Sequence, residues 1–487
     1  MRRIRNIFSV VILIFIQLND SNIVAQEAIP SRVKENIRQR VDNHLNTSIS
    51  VGVIDKDGKH FFNYGQSSEI NGITIDENSV YEIGSITKTF TGTLLAQLVL
   101  SGELKLEDPI DMYLPDSINV PKLNGEKIRL VHLANHSSGL PRIPDNLNPE
   151  NSTNPFADYT EDQLYEFLDN FKLNRAPGEK SEYSNLATGL LGHIIAKSQN
   201  TTYAELLSEM ILDPLDMNDT RVFPEAGYRK RIAVGHTAAE PVDNWIFTTN
   251  TLAGAGAILS TTNDMLNYLG ASSGLLDSDL KEAMRLSQKD SGSPEKRGVV
   301  GLGWSTMTIK GKDITWHNGG TGGFRSFAGF IPGSNRAVIV LSNSSESVDD
   351  IGLHLLNPEI ELKNKKASIA LQIRKAIDSE GVDAGEALYH QLKREAPEEY
   401  NFGADELNGL GYYYLRMNKL KKALTVFSLN VESHPNSFNV YDSLGEAYLK
   451  KGDTIKAIEN YRKSVELNPD HQGGIQKLRE LKKEEIE

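Results

Sequence analysis

Hydrophobic and polar residues alternate in two parts of the chain that lie far apart in sequence. In residues 48–64 the alternation is interrupted by DKDGK, whose Asp57-Gly58 step is typical of the turn of a β-hairpin. Short apolar runs towards the other end, separated by glycine- and proline-containing turns, predict four more strands, at residues 304–309, 314–317, 324–331 and 337–341.

Between these strand-forming parts, apolar residues recur at intervals of three and four, which is the pattern of helices with one buried face. The predicted helices include residues 85–100, 161–170, 186–197 and 262–270. Strands from both ends with helices between them predict an α+β fold, in which an antiparallel sheet is flanked by helices and carries an inserted helical lobe. We expect this part to span residues 32–362.

The sequence after residue 362 is helical throughout and contains a repeat with a period of 34 residues. The matched positions are Leu410-Gly411 with Leu444-Gly445, Tyr414 with Tyr448, Ala423 with Ala457, Phe427 with Tyr461, and Pro435 with Pro469. This pattern resembles a pair of tetratricopeptide repeats, at about residues 404–437 and 438–471, within an all-α domain of residues 366–487. Small residues at the matched positions allow the two helices of a repeat to approach closely.

Two repeats are fewer than the three or so that an isolated array needs. We therefore expect them to rest on a further helix pair in residues 366–400 or on the first domain, with residues 472–487 as a polar capping helix. Two roles remain open at this point. The repeats either stabilise or dimerise the protein, or they bind a protein or peptide partner.

The first 25 residues have the layout of a secretory signal peptide. Three arginines precede the apolar run 7–16, and a small residue, Ala25, follows. The run is much shorter than the roughly 20 residues of a membrane-spanning helix. We expect cleavage after Ala25 and export to the periplasm or the outside of a bacterial cell, with an uncleaved anchor as the alternative.

Composition narrows the possible chemistry. At 487 residues the chain is long enough for two or more domains, and its lack of cysteine excludes disulfides, thiolate metal sites and a cysteine nucleophile. The net charge of -13 argues against nucleic acid or anionic lipid as a partner. We expect no metal or cofactor, since neither the pair His132 and His136 nor any acidic cluster has metal-site spacing.

The pattern S-x-x-K occurs four times, as Ser31/Lys34, Ser85/Lys88, Ser278/Lys281 and Ser293/Lys296. The first, third and fourth copies lie in charged or loop-forming sequence. Ser85 instead follows the apolar run VYEIG and begins a helix of mostly apolar residues, which places Lys88 on the same side one turn later. A buried lysine needs partners or a task, and one with a lowered pKa can take the proton of a serine hydroxyl.

Two further segments supply groups that such a pair requires. The pattern Y-x-N occurs at Tyr183-Ser184-Asn185, where the phenol can relay a proton and the amide can hold a substrate carbonyl or the lysine. In TWHNGGTGG, residues 315–323, a strand ends at His317 and continues into glycines whose bare backbone can approach a ligand closely.

The three segments, in this order, resemble the serine β-lactamase and penicillin-binding protein superfamily. YEIGSITKTFTG is particularly similar to the active-site segment of class C β-lactamases and of related D-alanyl-D-alanine peptidases and esterases, and the likeness includes HLANHSSGLP at 132–141. The resemblance implies catalytic roles for Ser85 as nucleophile, Lys88 as base and Tyr183 as general acid or base. It implies substrate binding by Asn185, His317, Gly319 and Gly320, and an oxyanion hole from the backbone N–H groups of Ser85 and Gly320.

The implied function is that of a serine hydrolase which forms an acyl-enzyme on Ser85 and cleaves an amide (a β-lactam or a D-amino-acid peptide) or an ester. His317 stands where the β-lactamases of this class carry lysine, and a histidine is largely neutral at pH 7. Efficient β-lactam hydrolysis is therefore in question, whereas the nucleophile assignment is unaffected. The alternatives are an inactive receptor of the same fold and a scaffold that acts only through its repeats.

Overall fold

The computed structural model describes residues 27–69, 72–237 and 240–484, so the predicted signal peptide lies outside the described residues. The helices are α1 Ser31–Asp42, α2 Thr87–Leu100, α3 Leu130–Ala134, α4 Glu161–Asn170, α5 Asn185–Ser198, α6 Tyr203–Leu207, α7 Ala226–Arg229, α8 Thr262–Ser273, α9 Lys281–Gln288, α10 Asp349–Leu356, α11 Ile369–Glu380, α12 Val382–Glu395, α13 Ala404–Arg416, α14 Leu420–Ser433, α15 Phe438–Lys451, α16 Thr454–Leu467 and α17 Gln472–Glu484. The strands are β1 Ser48–Asp55, β2 Gly58–Gly65, β3 Val80–Glu82, β4 Lys122–Leu123, β5 Glu126–Lys127, β6 Gly235–His236, β7 Pro241–Val242, β8 Leu259–Thr261, β9 Val299–Val300, β10 Ser305–Ile309, β11 Lys312–Gly320, β12 Arg325–Phe330, β13 Arg336–Ser342, β14 Ala367–Ser368 and β15 Tyr400–Asn401.

The main sheet is antiparallel and has the strand order β2-β1-β13-β12-β11-β10-β9. Its first two strands form the predicted hairpin, and β10 to β13 lie at the four strand positions predicted from the apolar runs. Strand β1 joins the two sets because it pairs with β13. The prediction of an α+β fold with an antiparallel sheet built from both ends is confirmed.

Alternating residues of the sheet pack into two separate cores. On β13, Val338 and Val340 face a core formed with α1 and α10, whereas Ile339 and Leu341 face a larger core shared with the helical lobe. This follows from the two-residue period of a strand, which sends successive side chains to opposite faces. Because both faces are covered, the sheet is a rigid support for the residues at its ends.

The helical lobe contains the predicted helices, and α2 and α5 are both buried along most of their length. Most residues of α2 are buried, polar ones included, because the helix is enclosed by other helices of the lobe and by the sheet. Helix α5 is likewise buried along nearly all of its length. These two helices carry Lys88 and Asn185, so both residues stand on elements that packing holds in place.

Helices α11 to α17 stack as successive pairs at the C-terminal end. The expected close approach within the repeats is present, since a Cβ added to Gly411 would lie 2.4 Å from the Phe427 ring. Helices α11 and α12 form the further pair, and residues of both share one apolar core with α13 and α14. Arg416 of α13 also pairs with Glu240 in the first part of the chain. Within the described residues we find no helix long and apolar enough to cross a membrane.

Candidate active site

Ser85 lies on a tight turn between strand β3 and helix α2. Gly84 adopts φ +52°, a left-handed conformation, and residues Gly84–Ile86 form one 3₁₀ turn before α2 begins at Thr87. A Cβ on Gly84 would lie only 2.8 Å from the backbone nitrogen of Gly320. Glycine at 84 therefore permits both the turn and the contact that places Ser85 beside the end of β11.

Lys88 is buried, with 1% of its surface exposed, and its ammonium group is surrounded by oxygen atoms. Its Nζ lies 3.1 Å from Ser85 Oγ and donates to Asn185 Oδ1 at 2.9 Å and to the backbone oxygen of Ala255 at 2.6 Å. Burial lowers the pKa of Lys88 from its ordinary value, and the nearby Tyr183 partly opposes this shift. Lys88 is thus placed to exchange a proton with Ser85 and to do so with a lowered pKa.

Tyr183 and Asn185 lie on either side of the N-terminal cap of α5. Ser184 is the cap, and its Oγ accepts a hydrogen bond from the backbone N–H of Ala187 at 2.9 Å. This cap fixes the direction in which the chain enters the helix, which sends both neighbouring side chains towards the serine. The Tyr183 ring centre lies 5.0 Å from Lys88 Nζ, so the structure brings together the residues predicted from the three separate segments.

His317 lies on the side of the site that is formed by the main sheet. It stands near the end of β11, its ring centre is 6.5 Å from that of Tyr183, and its Nδ1–H donates to the backbone oxygen of Asn318 at 2.5 Å. Burial lowers the pKa of His317 to about 4, and the positive charge of Lys88 adds to the shift. The side chain is therefore neutral at pH 7 and offers no permanent cation to a substrate.

The glycines after His317 allow the strand to pass very close to the serine turn. A Cβ on Gly319 would lie 2.0 Å from the backbone oxygen of Ile83, and Ser326 Oγ donates to that same oxygen at 2.8 Å. Any larger residue at 319 would push β11 away from the turn. The predicted glycines at 319 and 320 thus set the spacing between Ser85 and the backbone N–H of Gly320.

His136 was missed as a site residue from the sequence. Its Nδ1 accepts from the backbone N–H of Ser184 at 3.3 Å, and its ring lies 4.5 Å from the Tyr183 ring. Burial lowers its pKa to about 3, with Lys88 and His317 adding to the shift, so it is neutral in this site. His136 belongs to the segment HLANHSSGLP, but one sequence alone does not connect position 136 with position 183.

The walls of the cleft beside Ser85 are apolar and were also missed. Phe156, Trp245, Phe247 and Leu252 line it together with the backbone of Gly320. The Phe156 ring lies 5.4 Å from that of Trp245 and 6.0 Å from that of Phe247, so the three rings form one surface. They come from loops without a hydrophobic period, which left no pattern to detect. Arg142, which is exposed, lies 5.1 Å over the Tyr183 ring.

The fold agrees with a family comparison. The sequence profile described as Beta-lactamase matches residues 33–357. The chain belongs to the beta-lactamase family. A second profile, described as Tetratricopeptide repeat, matches residues 438–471, which is the second of the two repeats predicted from the 34-residue period.

The known relatives of this beta-lactamase-family chain include a protein named as a peptidase as well as β-lactamases. It is 32% identical to the D-alanyl-D-alanine-carboxypeptidase/endopeptidase AmpH of Escherichia coli strain K12 over 333 residues, which covers 63% of this chain and 84% of AmpH. It is 27% identical to the Beta-lactamase of Pseudomonas fluorescens over 367 residues, covering 63% of this chain and 94% of that protein.

Solved structures show the same fold. The Beta-lactamase/D-alanine Carboxypeptidase from Yersinia pestis, complexed with citrate, superposes with a TM-score of 0.57 at 28% identity, over 65% of this chain and 93% of that one. The D-alanine Carboxypeptidase AmpC from Burkholderia cenocepacia gives a TM-score of 0.57 at 22% identity, over 67% of this chain and 97% of its own. The resemblance to this family predicted from the three motifs is confirmed.

Proposed function

We propose that the protein is a serine hydrolase that acylates Ser85 and releases the acyl group to water, with a D-amino-acid peptide as the first choice of substrate and a β-lactam or an ester as alternatives. The observation that carries this proposal is the shared position of Lys88 Nζ, which lies within hydrogen-bonding distance of both Ser85 Oγ and Asn185 Oδ1. It joins the nucleophile to a substrate-binding group in one contact network.

The chemical steps follow from these contacts. Neutral Lys88 takes the proton of the Ser85 hydroxyl as Oγ attacks the substrate carbonyl carbon. The carbonyl oxygen becomes an oxyanion, and the backbone N–H groups of Ser85 and Gly320 stabilise it. The bond to the leaving group then breaks, and Tyr183 passes a proton to the departing nitrogen or oxygen. Lys88 then passes the proton it took from Ser85 to Tyr183. Water attacks the carbonyl carbon of the ester on Ser85 as Lys88 takes a proton from it, the bond between that carbon and Oγ breaks, and Lys88 returns the proton to Oγ.

Burial of Lys88 supports its role as the base. A lysine in water is protonated at pH 7, and a protonated amine accepts no proton. The surrounding protein lowers the pKa of Lys88, which increases the neutral fraction at the pH of reaction. The Asn185 and Ala255 oxygens hold the amine in place while it changes charge.

His317 and the relatives support a peptide or ester substrate over a β-lactam. A neutral side chain at 317 gives a substrate carboxylate a weaker partner than the lysine of the class C β-lactamases. AmpH, at 32% identity, is named a D-alanyl-D-alanine carboxypeptidase/endopeptidase, and the Yersinia pestis protein, at 28%, is named both a β-lactamase and a D-alanine carboxypeptidase. The apolar rings of Phe156, Trp245 and Phe247 beside Ser85 suit an acyl group with an apolar side chain.

The test is labelling and turnover with matched serine variants. Wild type, Ser85→Ala and Ser278→Ala are incubated with a fluorescent penicillin, with a D-alanyl-D-alanine peptide and with nitrophenyl esters. We expect turnover of at least one substrate in wild type and Ser278→Ala and none in Ser85→Ala. Labelling without turnover of any substrate indicates a receptor instead of an enzyme. Equal activity in Ser85→Ala rejects the mechanism.

We also propose the organisation of the chain around this activity. Residues 32–362 form the hydrolase domain, and residues 366–487 form a tetratricopeptide domain that binds a protein or peptide partner. The apolar core shared by α11 to α14 supports a single helical domain, and the ion pair between Arg416 and Glu240 supports its being held against the hydrolase. Residues 1–25 act as a signal peptide for export to the periplasm or beyond, which a secretion assay with and without these residues tests.

A further inference from the structure

Glu82 is a buried carboxylic acid that the proposed reaction does not use. It ends strand β3, three residues before Ser85, and only 3% of its surface is exposed. Its Oε1 accepts a hydrogen bond from the backbone N–H of Trp245 at 2.8 Å. A buried acid lowers the stability of the fold unless it is paired, so we expect Glu82 to have a role at this position.

The hydrogen bond of Glu82 leads to the cleft beside Ser85. Trp245 belongs to the aromatic wall, and Thr321 follows directly after Gly320 at the end of β11; both line the cleft next to Ser85. The other carboxylate oxygen, Oε2, and the nearby Thr321 hydroxyl are both buried without a hydrogen-bond partner among the described residues. The Trp245 indole in turn packs on the same segment, since a Cβ on Gly322 would lie 2.8 Å from Trp245 Nε1. Glu82 therefore holds the backbone of the Trp245 loop at the place where the indole packs against the segment after β11.

The groups that face Glu82 are neutral. They are the Trp245 amide from the loop, the Thr321 hydroxyl from the segment after β11, and Leu259, its register partner on β8. Among the described residues no charged side chain contributes to its ionisation, so burial dominates and raises its pKa to about 7. The carboxyl group consequently changes charge within the range in which an exported hydrolase works.

We propose that Glu82 is a positioning residue whose ionised form fixes the Trp245 loop beside Ser85 and so selects acyl groups that pack on the aromatic wall. The effect on acyl-group selection rests on the hydrolase function proposed above, whereas the contact between Glu82 and Trp245 does not depend on it. An ionised carboxylate accepts the Trp245 N–H more strongly than a neutral acid does. The wall is therefore held firmly above pH 7 and loosely below it.

The structural content is tested by tryptophan fluorescence, which needs no substrate. The emission of wild type is measured from pH 5.5 to 8.5 and compared with Trp245→Phe, which identifies the Trp245 signal. We expect that signal to change with a midpoint of about 7. The change should be absent in Glu82→Gln and present in Glu225→Gln, a control at an exposed acid. A flat wild-type signal, or the same midpoint in Glu82→Gln, overturns the proposal.

The functional consequence is tested with two esters at pH 8. Nitrophenyl acetate has no group that reaches the aromatic wall, whereas nitrophenyl phenylacetate does. In Glu82→Gln we expect KM for the phenylacetate to rise about tenfold, the size of one charge-assisted hydrogen bond, with little change for the acetate. Equal losses for both esters show a merely structural role and contradict the proposal. If wild type cleaves neither ester, the proposed function fails while the fluorescence titration still decides the role of Glu82.

Discussion

Replacing Gly84 by alanine tests the contact that aligns the serine turn with β11. The added Cβ would lie 2.8 Å from the nitrogen, 3.1 Å from the oxygen and 3.2 Å from the carbonyl carbon of Gly320. All three are backbone atoms, so no side-chain rotation relieves the overlap. The backbone at Gly319, which precedes Gly320, is also held in place. It packs closely against Ile83, and Ser326 of the neighbouring strand β12 donates a hydrogen bond to the backbone oxygen of Ile83.

The expected magnitude follows from this geometry. Restoring an ordinary separation of about 3.4 Å moves the Gly320 nitrogen by roughly 0.6 Å, and a misplacement of that size weakens an oxyanion donor. Complete loss of one such donor costs about 100- to 1000-fold in kcat, so we expect a loss of about 10- to 100-fold here. The left-handed backbone adds about 1 kcal/mol of strain, and overpacking adds about 1–3 kcal/mol to the loss of stability.

The assay is ester hydrolysis, and Gly102→Ala is the matched control. Gly102 also has a positive φ, +83°, but a Cβ there would meet nothing within 4 Å. This variant should lose about 1 kcal/mol in urea unfolding and keep its kcat. A Gly84→Ala protein with wild-type kcat refutes the proposed alignment, and an equal kcat loss in both variants assigns the effect to backbone strain alone.

Three further predictions concern the base, the pH dependence and the C-terminal helices. Lys88→Met should fold and lose about 1000-fold or more in acylation rate, whereas Lys281→Met, in another S-x-x-K copy, should keep the wild-type rate in the same ester assay. His136 and His317 have folded-state pKa values of about 3 and about 4, below the ordinary 6.5, so the fold favours their neutral forms and stability should fall as pH drops below 6.5. The free energy of unfolding, measured with urea at pH 7 and at pH 5, should fall between the two by about 1–2 kcal/mol less in His317→Asn than in wild type. Deleting residues 366–487 should leave turnover of a small ester nearly unchanged, and a collapse of solubility or activity would instead indicate a structural role for the repeats.

The sequence predicted the parts of the site that lie on regular elements. Ser85 and Lys88 share a helical turn whose apolar neighbours repeat with the helical period, and Tyr183 and Asn185 flank a helix cap. His317 lies on a predicted strand, although β11 continues past the predicted end at His317 to Gly320. In each case a local period specified the element, and the element then specified where the side chain points.

The missed residues depend on contacts between segments that have no period of their own. The aromatic wall comes from Phe156 and from the loop of Trp245, which meet only in the folded chain. His136 contacts the Tyr183 loop from 47 positions away, and the hydrogen bond of Glu82 spans 163 positions. Such pairings are set by how the lobe closes on the sheet, and single-sequence patterns carry no information about that closure.

The repeats illustrate the opposite case. Their 34-residue period specifies both the helices and the contact between them, as the packing of Gly411 under Phe427 shows. What the period does not specify is the contact with the first part of the chain. Arg416 meets Glu240 through an ion pair that no repeat position encodes.

The central claim, acylation of Ser85 by way of Lys88, is tested most directly by trapping the acyl-enzyme. Wild type, Ser85→Ala and Lys88→Met are mixed with a fluorescent penicillin or a nitrophenyl ester, quenched in acid and examined by peptide mass spectrometry. We predict one added acyl group on the peptide that contains Ser85 in wild type, none in Ser85→Ala and a greatly slowed addition in Lys88→Met. An acyl group on a different residue, or equal labelling of all three proteins, contradicts the account.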